Sequence, residues 1–463
     1  MLWLCLYLPR WSLQVAGRGM PPAIPLVLLE QARVRQVNPA AAQAGIRPGM
    51  RVATAHALAV GLKTIQRNPA AELEALQRLA GWAYRYTDQV LLSDQALLLE
   101  VAGSIKLWGP LPRLMTRLDD GLEGLGYQAK IGLAPSPAAA GLFAPQRLIA
   151  VETRHMQQCL LPLSVARLPI SRDDRQSLSR SGIQQLKELL DLPRAGLQKR
   201  FGSGLCDYLD QLLGEAPCPL PRYQPARQFH ADLPLPAPLD ASEGLLFVGR
   251  RLLEELSGYL DGQDAATARL EWLLEHEDQP PSKFAIGLAS PDRAAERWLM
   301  VLREHLNRWR LPAPVVRIRL RADELVHYQP RQRDFLNGVP AEETRHSVLE
   351  RLSARLGSDA VSQVSPLADH RPEKAWRYAP PADHKPAAHC CQRRPLWLLT
   401  RPRPVDPAEL TFISRAERIE TGWWDDQGCT RDYFVADGPD GRRLWVFNQH
   451  KPASGWHVQG YFD

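Results

Sequence analysis

The chain has 463 residues, a length for two to four domains, and its 45% hydrophobic and 23% charged content excludes global disorder. A net charge of +6 and a pI near 9.0 suit a nucleic-acid partner without requiring one. Seven cysteines, an odd number without a Cys-x-x-Cys pair, argue against a disulfide framework and for a reducing, cytoplasmic setting.

Leu2 to Leu8 is a continuous apolar run closed by Pro9. It is too short to span a bilayer and lacks a basic stretch ahead of it, so it reads as a strand buried on both faces. Leu26 to Leu29 reads as a second strand. Residues 68–86 read as a helix, with Asn68 as cap, Pro69 at its first position and Leu73, Leu76 and Leu79 along one face. Val90 to Leu92 and Ala96 to Val101 read as strands around a turn at Ser93 and Asp94. Residues 110–125 form an amphipathic helix carrying Leu111, Leu114, Met115, Leu118, Leu122 and Leu125, and Ala129 to Leu133 is a strand. This alternation defines the class as α/β (α+β).

Residues 166–217 hold short helices. Pro219 to Pro238 is proline-rich and reads as an extended tether. A β-α-β-β-α-β unit follows: a strand near 227–233, a helix near 243–260, strands near 266–274 and 283–288, a helix near 292–309 and a strand over 314–321. Residues 365–407 contain a second proline cluster. Tyr433 to Val435 and Leu444 to Phe447 flank Asp437-Gly438-Pro439-Asp440-Gly441, a hairpin turn. No stretch is long and apolar enough for a membrane span.

Short strings in this order resemble the Y-family (DinB/UmuC-like) translesion DNA polymerases. Ala44-Gly45-Ile46-Arg47-Pro48-Gly49-Met50 resembles a fingers motif. Lys130-Ile131-Gly132-Leu133-Ala134-Pro135 resembles a palm strand, and Leu168 to Leu190 a thumb helix-hairpin-helix, closed by Phe201-Gly202 and Leu212 to Gly214. Asp369-His370-Arg371-Pro372-Glu373-Lys374-Ala375-Trp376, Arg394-Pro395-Leu396-Trp397-Leu398-Leu399 and Gly422-Trp423-Trp424-Asp425 resemble the tail of ImuB-type proteins, catalytically degenerate members of that superfamily.

The resemblance implies a right-hand architecture of palm, fingers, thumb and little finger with a C-terminal extension. It places a palm over 1–165 with fingers inserted at about 22–67, and a helical thumb with a degenerate helix-hairpin-helix over 166–217. A tether over 218–226, a little finger over 227–322, a linker with a clamp-binding peptide over 323–345 and a partner-binding region over 346–463 follow.

Phosphoryl transfer by a polymerase needs two metal ions held by clustered carboxylates. Carried over from the family, the first-strand ligand positions fall on Leu6 and Leu8, and leucine offers a hard cation no oxygen. The adjacent Asp-Glu pair falls on Asp94-Gln95, or on Gln95-Ala96 if the gap is placed differently, and a further acid on Glu100, which reads as a solvated or capping carboxylate before a metal ligand. The fingers Tyr and Arg fall on Pro39 and Ala42, the palm Asn-Lys on Ser136-Pro137, and the thumb glycines on Pro169 and Ser171. No catalytic residue, metal or cofactor is expected.

Two features can bind. Val315 to Arg321 alternates so that Arg317, Arg319 and Arg321 share one face and Val316, Ile318 and Leu320 the other, a row of cations for DNA phosphates or a solvated sheet face. Gln332-Arg333-Asp334-Phe335-Leu336 resembles the peptide that bacterial proteins insert into the β sliding clamp. His389-Cys390-Cys391 fits no standard zinc spacing. Trp423, Trp424, Trp445 and Trp456 read as the core of a small β module. The resemblance therefore implies a non-catalytic adaptor of SOS mutagenesis. Its partners would be primed or single-stranded damaged DNA, the clamp, an error-prone C-family polymerase and a RecA-like, ImuA-type accessory protein, at the bacterial nucleoid. An active polymerase with relocated metal ligands is the alternative.

Overall fold

The computed structural model describes residues 1–328, 348–349, 352, 355–357, 360–379, 394–422, 424, 428–451 and 454–462. Two units, Met1–Arg355 and Leu356–Asp463, each gather their own contacts.

In the first unit Trp3–Tyr7 lies inside an antiparallel sheet, between Ala96–Glu100 and Lys130–Ala134, with Val90–Ser93 beyond Ala96–Glu100. An interior strand covered on both faces cannot alternate apolar with polar, which is why the run is unbroken. Leu2, Leu4, Leu6 and Leu8 bury under helices Pro69–Ala83 and Leu111–Leu125, while Trp3 and Cys5 bury on the opposite face with helix Pro137–Phe143 and the helices beyond Arg172.

Asn68 caps its helix as expected, its side chain accepting from the Ala71 N–H at 3.2 Å. Leu76 and Leu79 are buried there but Leu73 is 55% exposed, because the buried stripe runs through Ala75, Leu76, Leu79, Ala80 and Ala83 and leaves the first turn in solvent. Leu26–Glu30 pairs with Arg33–Val37 and Lys63–Gln66 around a separate small core of Val27, Leu29, Val34 and Ile46. Neither partner strand was read from the sequence, where charged residues interrupt their apolar positions.

Strand Phe229–Leu239, helix Ser242–Gly262, strands Ala265–His276 and Ser282–Asp292, helix Ala295–Arg308 and strand Val315–Ala322 form the β-α-β-β-α-β order. The tether reading over Pro219 to Pro238 needs correction on two counts. Phe229–Leu239 is a strand through Pro234, Pro236 and Pro238, because it lies at the sheet edge beside Val315–Ala322, where one row of N–H groups has no partner to lose. Residues 221–223 are also stitched to the first sheet: the Leu92 N–H donates to the Pro221 carbonyl at 3.0 Å and the Tyr223 N–H to Val90 at 2.8 Å.

In the second unit, strands Trp397–Pro404, Gly455–Tyr461, Arg443–Lys451 and Cys429–Asp437 lie side by side, with Thr411–Phe412 and Glu417–Thr421 both pairing on Cys429–Asp437. The Asp437 to Gly441 turn closes the expected hairpin, with Gly441 at φ 79°. Trp445 is buried against Tyr433, ring centroids 4.3 Å apart, and Trp456 packs on Phe412 and Phe434. Trp424 is 60% exposed, so the core reading fails for it; Trp423 lies outside the described residues. Gln363–Pro366 and Trp376–Ala379 form a separate two-stranded hairpin.

Candidate functional site

The residues at the expected metal positions do not converge. Leu6 and Leu8 are fully buried under the helical layer. The face toward the thumb-like helices carries Cys5 and Tyr7 instead, which line a cavity of about 630 Å³ together with Asp94, Gln95, Leu98, Leu142 and Tyr208. Strand alternation decides this: Cys5 and Tyr7 point to the cavity, Leu4 and Leu6 to the opposite face. Asp94 and Gln95 occupy the turn between strands Val90–Ser93 and Ala96–Glu100, exposed at the cavity.

Glu100 stands at the far end of its strand, roughly 13 Å of strand from Ala96. Its Oε1 accepts the Leu2 N–H at 2.9 Å and the Ala102 N–H at 3.3 Å, so it caps the backbone entering the first strand. Burial pushes the Cys5 thiol up to about 12, which keeps it protonated at neutral pH. The cavity thus offers one carboxylate, Asp94, among the phenols of Tyr7 and Tyr208, the amides of Gln95 and Gln211, the thiols of Cys5 and Cys218 and the Arg167 guanidinium. That set does not fit a pair of hard divalent cations. Among the described residues no group of three His, Cys, Asp or Glu could hold a metal ion. The His389-Cys390-Cys391 cluster lies outside the described residues.

The positions that the resemblance assigns to nucleotide or phosphate contact serve local structure here. Ser136 is buried, accepts the Ala139 N–H at 3.2 Å as a helix cap and donates to the Leu212 carbonyl at 2.8 Å; Pro137 opens that helix. Pro39 opens helix Pro39–Gln43, capped by Asn38, and Ala42 lies within it. Ser171 caps helix Arg172–Arg180, accepting the Asp174 N–H at 3.0 Å, and Pro169 lines the cavity.

Arg317, Arg319 and Arg321 do share one face of their strand, opposite buried Ile318, Leu320 and Ala322. A register shift between Val315 and Arg317 makes Val315, not Val316, the core residue at the strand's start. The arginines are not bare. Arg317 pairs with Asp232 at 3.2 Å and Glu275 at 3.4 Å, Arg319 with the same two acids at 3.1 and 2.8 Å, and Arg321 with Asp323 at 3.4 Å. The exposed face continues across Ala265–His276 and Ser282–Asp292 with Arg269, Glu271 and Lys283; Lys283 has no ion-pair partner among the described residues. The alternation of Arg269 and Glu271 with buried Leu270 and Trp272 could have revealed this extension from sequence. Burial moves the His230 imidazole, on the same face, below its usual range. The clamp-type peptide Gln332 to Leu336 lies outside the described residues.

Residues 14–144 match the impB/mucB/samB family. The chain is 28% identical over 460 residues to Protein ImuB from two strains of Caulobacter vibrioides, covering 90% of this chain and 100% of that protein. Residues 14–144 thus resemble one family, and nine tenths of the chain is similar to Protein ImuB. Since the unmatched tenth is shorter than Leu356–Asp463, the similarity enters the second unit. Among solved structures it is similar to a Dbh ternary complex (19% identity, 69% of this chain and 98% of that one, TM-score 0.41) and to DinB from Sulfolobus solfataricus (19%, 71% and 100%, TM-score 0.40).

The tail strings have definite local roles. Arg371 is buried and gripped by Asp369, its Nη2 at 2.7 Å and its own N–H donating at 2.8 Å, while Glu373 pairs with Arg431 at 2.9 Å. Arg394 pairs with Glu417 at 2.5 Å. Hydrogen bonds from Arg418 hold the Asp432 carboxyl down to about 2, with His450 adding to them. Trp376 and Tyr378 stay exposed on the hairpin face. No helix among the described residues is long and apolar enough to cross a membrane.

Proposed function

We propose that this chain is a Y-family-type, non-catalytic adaptor of an SOS-induced translesion complex. It binds primed or single-stranded damaged DNA through the 227–322 unit and the β sliding clamp through Gln332 to Leu336. Through residues 346–463 it recruits an error-prone C-family polymerase and a RecA-like, ImuA-type accessory protein. The observation that carries the non-catalytic part is the cavity of Cys5, Tyr7, Asp94 and Gln95, where a polymerase requires a carboxylate cluster. Similarity to Protein ImuB supports the adaptor part.

Charge supports the division of labour. Residues 356–463 contain 14 Lys or Arg and 14 Asp or Glu, so the whole excess of +6 resides in residues 1–355. On this reading the polyanion goes to the first unit, and the polymerase and accessory protein to the second.

Purified protein is expected not to extend a primer with Mg²⁺ or Mn²⁺. Template-directed incorporation abolished by Asp94→Ala would overturn this reading in favour of an active polymerase with relocated ligands. Deleting the chain beyond residue 345 is expected to leave DNA affinity intact and to remove accessory-protein binding in pull-downs. Retained partner binding would refute the assignment of the tail.

The acids on the sheet face set a further expectation. Asp232 and Glu275 neutralise Arg317 and Arg319 and hold their guanidinium groups in place. Asp232→Asn with Glu275→Gln should raise DNA affinity by roughly tenfold at low salt and steepen its salt dependence, as two cations become free to replace counterions. Alanine at Arg317, Arg319 and Arg321 should do the reverse. Salt-titrated fluorescence anisotropy measures both slopes; an unchanged slope in either variant would remove this face from the DNA interface.

A further inference from the structure

Helix Ser242–Gly262 is buried on two sides. One side packs on its own sheet, through Leu245, Val248, Leu252 and Leu256. The other meets helices Pro69–Ala83 and Leu111–Leu125 of the first sheet's helical layer. Segments joined by a short connection ordinarily move against each other unless their interface is large and well packed. Here the second side carries Glu255, Gly258 and Gly262, three and four residues apart and so in one line along the helix.

The glycines are notches. A Cβ on Gly258 would collide with the indole of Trp82, and a Cβ on Gly121 of the neighbouring helix would collide with the same ring's other rim. Trp82, 2% exposed, therefore sits between two helices that each lack a side chain at the point of contact. Gly262 lies against the backbone of Arg85, where a Cβ would come within 2.9 Å of its nitrogen.

Beside the indole is a buried ion cluster. Glu255 is 0% exposed and Arg18 1%, and they pair at 2.7 Å, with Arg78 reaching the other carboxylate oxygen at 3.2 Å. Arg18 also donates through Nε to the Leu125 carbonyl at 2.9 Å and through Nη2 to Arg251 at 3.4 Å, Arg251 donates back to the Arg18 carbonyl, and the Arg18 guanidinium lies 4.8 Å from the Tyr127 ring centre. At the rim Asp261 bridges Arg85 at 2.6 Å and Arg293 at 2.9 Å. The connecting segment is pinned as well: besides the bonds of residues 221–223 to the sheet edge, the Tyr259 hydroxyl donates to the Ala226 carbonyl at 2.5 Å.

We propose that these contacts form an interdomain lock that holds residues 229–322 and the first sheet's helical layer as one rigid body. The cation-bearing sheet is preset by it and does not swing when nucleic acid arrives. A buried guanidinium–carboxylate pair that has lost water holds only while every donor keeps its acceptor, so the junction is either fully made or open. The lock stands on internal geometry and does not depend on the adaptor reading.

The test uses the full chain carrying a dye pair at Leu107 and Met300, both exposed, introduced as non-natural residues and read by single-molecule energy transfer. The expected result is one narrow distance distribution in free protein, unchanged by excess primed duplex. Glu255→Gln, which keeps the shape and removes the charge, should broaden it or add a second population. Should that variant not fold, Arg78→Gln at the cluster's edge is read in its place. A broad distribution in the parent, a shift on adding duplex, or a parent-like distribution in the folded variant would each overturn the lock. The free-protein distribution decides it even if no DNA binds, so its failure is separable from failure of the DNA-binding reading.

Discussion

Replacing Phe335 and Leu336 together by alanine is expected to weaken sliding-clamp binding by a factor on the order of a hundred or more, while DNA affinity and folding stay unchanged. Two bulky apolar side chains leaving water for a pocket contribute on the order of 3–5 kcal/mol before ordering costs. A lone peptide of micromolar affinity has about 8 kcal/mol in total, so in the proposed contact these anchors would supply about half and Gln332 with backbone bonds the rest. Calorimetry with purified clamp reads the loss, and damage-induced mutagenesis in cells should disappear with it. If the double variant binds as tightly as the parent, the clamp contact lies elsewhere and the tail is the next place to look.

Glu255→Ala is expected to destabilise the first unit by about 3–5 kcal/mol, since it strands a buried guanidinium without its counter-charge. Arg18 is 1% exposed and cannot turn to water without opening the helix junction. Removing both charges with residues of similar shape, Arg18→Met with Glu255→Leu, should cost less than Glu255→Ala alone, because no unpaired ion is left at that point. Urea unfolding followed by tryptophan emission distinguishes the cases, with Trp82 reporting from the junction. A single-variant loss below about 1 kcal/mol, the size of an exposed pair, would mean that water reaches the cluster.

The sequence was most legible where burial imposes a period. Leu114, Leu118, Leu122 and Leu125 recur at helical spacing, and all four are buried. The unbroken run from Leu2 read as an interior strand, and Trp3–Tyr7 is one. Two kinds of feature escaped. The first is the phase of a strand relative to a cleft: a family motif placed metal positions at Leu6 and Leu8, but only the pairing of both strand neighbours shows that Cys5 and Tyr7 face the cavity. The second is pairing across long separations. Arg18 meets Glu255 across 237 residues, and Arg319 meets Asp232 across 87, so neither ion pair leaves a local pattern. The alternating arginines read as a bare cationic row because the acids that neutralise them come from other strands.

The prolines of strand Phe229–Leu239 bear on how the molecule behaves in a crowd. Pro234, Pro236 and Pro238 are spaced by two, so the N–H groups they lack would all have pointed to the same side of the strand. Pairing with Val315–Ala322 covers Phe229 to Pro234 and resumes at Leu239, so Leu235 to Pro238 stand outside the ladder. An incoming strand finds too few donors there to form a ladder. A border short of donors disfavours strand addition by a second copy, so the sheet's face, and not its edge, is the surface left for a partner.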